Sequence, residues 1–419
     1  MPHQPPGGAP APDRTSRRAW WPVAAVLLAV AWGGNEFTPL LVMYREQGNM
    51  SDVTVDALLA AYVFGIVPAL LLGGPLSDRY GRRPLLLPAA PIGALGSLVL
   101  AVDPMSPLLL AVGRVLCGVA LGLAMAVGST WVTELSARAG ERGAGPRRGS
   151  LSLTVGFLVG AGFAAMLAQF GPWPTHLSYV VHAAGALAAG AWLLRVPETN
   201  PVLRRGDRAR LRDDLRITAV RHPRFLRVVL PLAPWVFGCG GSAYAVLPAL
   251  LSDHAGDLPI AFAGILTVLS LGCGIGIQVL ARRIDTPASA RASVVALSIV
   301  AFGMGLAAWA SVTPSLPLGV VAGVVLGIGY GLGLVAGLSE VARIAGPGQL
   351  AGLTAVFYSL TYLGFFAPMV LAWLHSTWSY GEMFGFGAVA AALSMALVAM
   401  SSRTALPRAR GDRSNDPAT

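Results

Sequence analysis

Two ionisable side chains stand inside stretches that are otherwise apolar. Glu36 lies in the run from Trp20 to about Tyr44, and Arg114 lies in the run 106–132. A charge in such surroundings costs several kcal/mol unless it is partnered, so each is a functional candidate. The chemistry open to the pair is proton binding and release. A carboxyl whose cationic neighbour moves can take up a proton and give it back. Glu36 lies about as far from the C-terminal end of its run as Arg114 does from the N-terminal end of its own. The first and fourth spans run in opposite directions, which predicts that the two residues share a depth and interact, directly or through water. A fixed structural ion pair is the alternative. Asn35 adjoins Glu36 but points about 100° away around a helix, so at most one of them looks straight into a central cavity.

The surroundings of these residues set the class of protein. The chain has 419 residues, of which 55% are hydrophobic and 12% charged. A water-soluble domain carries about 25% charged residues, so lipid is the implied solvent. The net charge of +10 comes from arginine alone, since the chain has no lysine. The arginines cluster between apolar runs, which is a topology signal and not a nucleic-acid footprint. Cys117, Cys239 and Cys273 fall inside apolar runs with no metal-ligand spacing and read as small packing residues. No metal, cofactor or nucleic acid is implied. His176 and His375 sit at helix ends, and His182 is a lone histidine that is packed or faces a cavity.

Runs of about 20 apolar residues are long enough to span a bilayer. They occur near 20–43, 54–76, 84–102, 106–132, 150–170, 174–195, 226–250, 260–281, 291–311, 315–341, 350–373 and 378–401. The intervening loops alternate. One side carries Arg17 and Arg18, Arg79 to Arg83, Arg138 to Arg148, the stretch Arg204–Arg227, Arg282 to Arg291, Arg343 and Arg403 to Arg410. The other side carries Arg45 with Glu46, then Asp103, Asp253 and Asp257. The positive-inside rule places the arginine-rich side and both termini in the cytoplasm of a plasma-membrane protein. The chain also resembles itself, with Gly33 to Phe37 matching Gly240 to Tyr244, and the Gly118/Gly122/Gly128 series matching Gly327/Gly331/Gly337. The predicted organisation is a disordered tail (1–19), a six-helix half (20–195), a linker with a short amphipathic helix around Leu211, Leu215 and Val220 (196–225), a second six-helix half (226–401) and a second disordered tail (402–419).

The segment Gly74-Pro75-Leu76-Ser77-Asp78-Arg79-Tyr80-Gly81-Arg82-Arg83 resembles motif A of the major facilitator superfamily. The resemblance extends over nearly the whole chain. It implies an all-α integral membrane protein of the MFS fold, with twelve transmembrane helices in two pseudo-symmetric six-helix halves. It also implies that Gly74, Asp78, Arg79, Gly81, Arg82 and Arg83 form a gate that holds the cytoplasmic side shut, with Glu134 facing the arginines. Pro197-Glu198-Thr199 resembles the element that closes the first half of such proteins. Arg114 to Gly118 resembles motif B, with Cys117 where a glutamine is frequent. Span 5 keeps the glycine spacing of the antiporter motif C at Gly156, Gly160 and Gly162, but Ala161 replaces its proline. Gly118, Gly156 and Gly160 permit close helix packing.

The expected function is secondary active transport by alternating access, with small-molecule substrate and protons as partners, the bilayer as solvent and a monomer as the working form. Glu36 and Arg114 are the coupling candidates. Trp32, Asn35, Tyr244, Tyr330, Tyr358, Tyr362 and Phe365 are candidates for lining the substrate cavity. Such a cavity suits efflux of a hydrophobic drug or secondary metabolite against protons. A proton-coupled importer or a uniporter shares the architecture, and a non-transporting receptor or sensor is the reading from another class. An enzyme is not expected.

Overall fold

In lipid, every backbone N–H and C=O must be satisfied within its own segment, so the apolar runs fold as helices. The computed structural model describes residues 18–47, 50–141, 143–200, 217–346 and 348–403. The two predicted tails and the positions Leu211 and Leu215 of the linker lie largely or wholly outside the described residues. Among the described residues eleven helices are long and apolar enough to cross a membrane, and a shorter apolar helix joins them. In chain order they are α1 (Trp20–Gln47), α2 (Asp52–Tyr80), α3 (Arg82–Val102), α4 (Pro107–Arg138), α5 (Ala144–Phe170), α6 (Leu177–Leu193), α7 (Phe225–His254), α8 (Pro259–Ala281), α9 (Arg291–Val312), α10 (Leu316–Ile344), α11 (Leu350–Leu374) and α12 (Tyr380–Ser401). The protein is a multi-pass membrane protein.

The bounds of three helices differ from the sequence expectation for a physical reason. Helix α5 begins at Ala144 and α4 runs to Arg138, because a charged stretch outside lipid continues a helix that an apolar-run criterion ends. Helix α6 is shorter than expected, since the chain turns at Trp173, which has a positive φ of 53°, before Leu177 starts the helix.

Helices α1 to α6 pack chiefly on one another, as do α7 to α12. The two sets meet along α5–α8 and α2–α11. Backbones come very close at the glycines. A Cβ on Gly118 would lie 2.2 Å from Tyr62 O, one on Gly156 2.3 Å from Leu28 O, and one on Gly160 2.4 Å from Trp32 O. These contacts set the α2–α4 and α1–α5 crossings.

Several helices are irregular midway. Helix α1 tightens to a 3-10 turn at Thr38–Leu40, α7 widens to a π-turn at Ser242–Val246, and α11 tightens at Leu363–Phe366. Pro39 lies within the first, while Pro248 and Pro368 follow the other two. A proline lacks the N–H that would continue the ladder. The three irregular turns deliver Thr38, Tyr244 and Phe365 to one central cavity.

Candidate functional site

The central cavity lies between the two helix sets and measures about 30 Å3. That is room for a few waters at about 10–15 Å3 each, so the site is closed around its centre in this conformation. Of the expected lining residues, Asn35, Tyr244, Tyr330, Tyr362 and Phe365 face it. Trp32 and Tyr358 are not among its walls. Trp32 turns towards α5 and α6, where its ring meets Phe163 and His182. Tyr358 packs beside Phe357. Sequence reasoning did not single out Tyr62, Phe157 and Phe237, which also line the cavity. Phe237 is the centre of an aromatic stack, 4.6 Å from Tyr362 and 4.9 Å from Phe365 between ring centroids.

Arg114 forms part of the cavity wall while 1% exposed. Its guanidinium donates to Gly34 O at 3.1 Å, with longer contacts to Leu58 O at 3.4 Å and Leu59 O at 3.5 Å. It also sits over the rings of Tyr62 and Phe37, 4.5 and 4.8 Å from their centroids. Asn35 faces the same cavity, donates to Phe157 O at 3.0 Å and accepts from Thr38 Oγ1 at 2.8 Å. The hydroxyl of Tyr62 is buried without a hydrogen-bond partner.

No direct hydrogen bond joins Glu36 to Arg114, whose guanidinium donates to backbone carbonyls. Glu36 is fully buried but does not line the cavity. One residue past Asn35, it is carried about 100° around α1, into the interior of the first helix set. There Ser97 Oγ of α3 lies 2.7 Å from Glu36 Oε1, and the same Oγ lies 2.7 Å from His182 Nδ1 of α6. His182 Nε2 lies 2.9 Å from Ala29 O. Gly33 makes this approach possible, since a Cβ there would lie 2.3 Å from His182 Cε1. Of this cluster the sequence singled out Glu36 and His182 separately, and it gave no sign that Ser97 joins them.

At the arginine-rich end, Gly81 takes φ 99°, a conformation that favours glycine, and turns the chain from α2 into α3. Arg82 pairs with Glu134 at 2.9 Å and Asp78 at 2.5 Å, and bonds Ser77 Oγ at 2.7 Å. The Glu198 carboxylate accepts the backbone N–H groups of Arg82 at 3.0 Å and Arg83 at 2.8 Å, capping the start of α3. Partial burial disfavours the charged form of Glu198, but N–H groups of Asn200, Arg83, Arg82 and Thr199 outweigh it and hold the carboxyl below its ordinary range. Arg83 reaches Leu194 O at 2.7 Å. The glycine that leads this segment, Gly74, has open space where a Cβ would stand.

A second network at the same end holds a buried acid of the second half. Glu340 and Arg224 are each 1% exposed and form a two-pronged pair at 2.5 and 2.9 Å. Arg343 adds a bond to Glu340 at 2.7 Å and pairs with Asp285. Asp56 is likewise buried, at the opposite end, against Arg45 at 2.5 Å. At that opposite end Gln169 of α5 clasps the start of α8. It accepts from Ile260 N at 3.1 Å and Ala261 N at 3.0 Å and donates to Asp257 O at 2.9 Å.

Known proteins share this architecture. A protein of Arabidopsis thaliana described as a probable inositol transporter is 31% identical over 137 residues, 33% of this chain. A bacillibactin exporter of Bacillus subtilis is 29% identical over 103 residues, 23% of this chain. Several further relatives carry sugar or polyol transporter names. The aligned part spans only 20% and 25% of the length of the two detailed relatives. A solved POT family transporter in complex with 5-aminolevulinic acid superposes with a TM-score of 0.74 at 13% identity, over 92% of this chain and 96% of that one, which is a likeness of fold. The family model described as Major Facilitator Superfamily matches residues 21–286, and the chain belongs to that superfamily of transporters.

Proposed function

We propose that the protein is a proton-coupled transporter that exports an amphipathic organic small molecule with an aromatic or flat apolar face. The observation that carries the reading is the central cavity, whose walls come from both helix sets and combine stacked rings with one guanidinium and one amide. Ring faces bind flat apolar surface, while Arg114, Asn35 and the free Tyr62 hydroxyl orient a polar end. A multiply anionic solute would need more cations than Arg114 supplies to this cavity.

The arginine-rich end is assigned to the cytoplasm of the plasma membrane by the charge of its loops. Residues 20–195 and 226–401 act as two rocking halves around the cavity. Asp78, Arg82, Glu134 and Glu198 form the rigid cytoplasmic corner of the first half, with Gly74, Arg79, Gly81 and Arg83 in the same segment. The Gln169 clasp holds the outer side together. Glu36 stores the coupling proton, and Arg114, bound to the carbonyl of Gly34, transmits motion of the cavity wall to the helix that carries it.

A second reading has one specific support, the inositol and sugar transporter names among the relatives. Tyrosine hydroxyls with ring faces also suit a polyol. Flux into liposomes holding the purified chain separates the two, with labelled inositol and xylose set against a neutral planar aromatic compound and a phenolic metabolite. Saturable movement of the aromatic probes with none of the polyols is the expected result. Saturable inositol or xylose movement alone would replace the first reading with the second.

A further inference from the structure

Glu36 Oε1 and His182 Nδ1 approach to 3.5 Å, and the shorter path between them is a hydroxyl, which has one proton to give. Ser97 Oγ stands 2.7 Å from Glu36 Oε1 and 2.7 Å from His182 Nδ1. On the far side of the imidazole, Nε2 stands 2.9 Å from Ala29 O. A carbonyl only accepts, so Nε2 carries a hydrogen. In a neutral imidazole Nδ1 is then bare, and Ser97 donates its single proton to it. The Ser97 oxygen is left to accept, and the short contact to Glu36 needs a proton from the acid. Glu36 is therefore a carboxylic acid in this arrangement. The reverse arrangement, with a doubly protonated His182 donating to Ser97 and Ser97 donating to a carboxylate, contains the same number of protons. An ionised Glu36 beside a neutral His182 is one proton short. One of the two 2.7 Å contacts would then set lone pairs against each other in a buried site, which is costly.

The surroundings favour the acid form. Glu36 Oε2 is buried with no hydrogen-bond partner, which a neutral carboxyl tolerates better than a carboxylate. The other titratable groups facing the acid are Arg114 and Cys117 of α4, Tyr44 of α1 and Tyr179 of α6. Tyr44 and Tyr179 satisfy each other at 2.7 Å. The guanidinium of Arg114 is directed to backbone carbonyls.

We propose that Glu36, Ser97 and His182 form one proton-storing unit, set apart from the substrate cavity, that holds its proton on Glu36 in this closed conformation. The proton leaves Glu36 Oε1 for Ser97 Oγ as the Ser97 proton passes to His182 Nδ1. A carboxylate and an imidazolium result, with no change in total charge. Loss of the proton from the imidazolium then empties the unit. This rests on the coupling role proposed for Glu36, but shifts the acid's working partner from Arg114 to the serine and histidine.

Infrared spectra of the full chain in liposomes at pH 7, without substrate, test the unit directly. A carboxylic-acid C=O band that moves in D2O is expected, shifted by 13C-labelling of glutamate and abolished by Glu36→Gln. Ser97→Ala and His182→Gln should each retain a Glu36 carboxyl signal at an altered frequency, because the acid's hydrogen bond has changed. The 13C-glutamate shift in the unsubstituted chain needs no variant to fold, and melting curves qualify the variants. Absence of a glutamic-acid band in the labelled chain would overturn the proposal. A Glu36 band unmoved in folded Ser97→Ala and His182→Gln would do so as well. If the bands behave as expected while no pH gradient drives transport, the storage unit stands and the coupling reading falls.

Discussion

Arg114 binds the backbone two residues before Glu36, not the carboxylate itself, with Nη1 3.1 Å from Gly34 O. The guanidinium thereby fixes the turn of α1 that presents Asn35 to the cavity and Glu36 to the opposite side. A forked donor suits that task, and a lysine ammonium does not. Arg114→Lys keeps the charge but is expected to lower substrate flux at least about tenfold, with one lost charge-assisted bond worth about 1.5–3 kcal/mol. Flux in liposomes at matched protein content checks this.

Gly33→Ala tests the seat of His182. The added methyl would lie 2.3 Å from Cε1 and 2.6 Å from Nε2 of the imidazole. Overpacking of this kind costs about 1–3 kcal/mol, so the melting temperature should fall and the infrared signature of Glu36 should change. An unchanged melt with an unchanged band would contradict the contact.

Tyr62→Phe removes a hydroxyl that is buried without a partner. Stability should be unchanged or slightly raised, because no hydrogen bond is lost. Substrate affinity should fall if that hydroxyl orients the polar end of the solute. Melting curves and the concentration dependence of flux separate the two effects.

The buried pair in the second half predicts an asymmetry. Glu340→Ala breaks a buried two-pronged pair and should cost about 3–5 kcal/mol, whereas Arg224→Met with Glu340→Leu should cost much less. Comparing the melts of the two variants decides it.

Glu198 supplies a pH test at the arginine-rich end. Its carboxyl is held below the ordinary range by backbone N–H groups, against the opposing effect of burial. A depressed folded value means that the cap stabilises fully above the ordinary glutamate value of about 4.3 and is lost as pH falls through the folded value. Glu198→Gln should therefore lower the melting temperature at pH 7, and the gap from the unsubstituted chain should close in strong acid. A gap that persists unchanged to pH 3 would contradict the assignment.

Much of this site was legible in the residues. The helix spans follow from apolar length, and the Gly81 turn follows from its flanking arginines. The rotation of each helix about its axis was not legible. A membrane helix is apolar all round, so its composition carries no stripe that says which face is inward. That is why Asn35 and Glu36 could not be told apart, and why Trp32 and Tyr358 were placed at the cavity. Ser97 gave no signal, since a hydroxyl in an apolar helix can satisfy its own backbone. The buried pairing of Glu340 gave no signal either, because its partner Arg224 lies 116 residues away in sequence.

The central claim is that movement of an organic solute is tied to a proton carried by Glu36. Everted membrane vesicles with a pH-sensitive dye test it most directly, with planar aromatic compounds, inositol and xylose added in turn to the unsubstituted chain and to Glu36→Gln. The account predicts that at least one aromatic compound collapses the proton gradient with the unsubstituted chain and not with Glu36→Gln. Equal collapse by both, with both proteins folded and abundant, would contradict it.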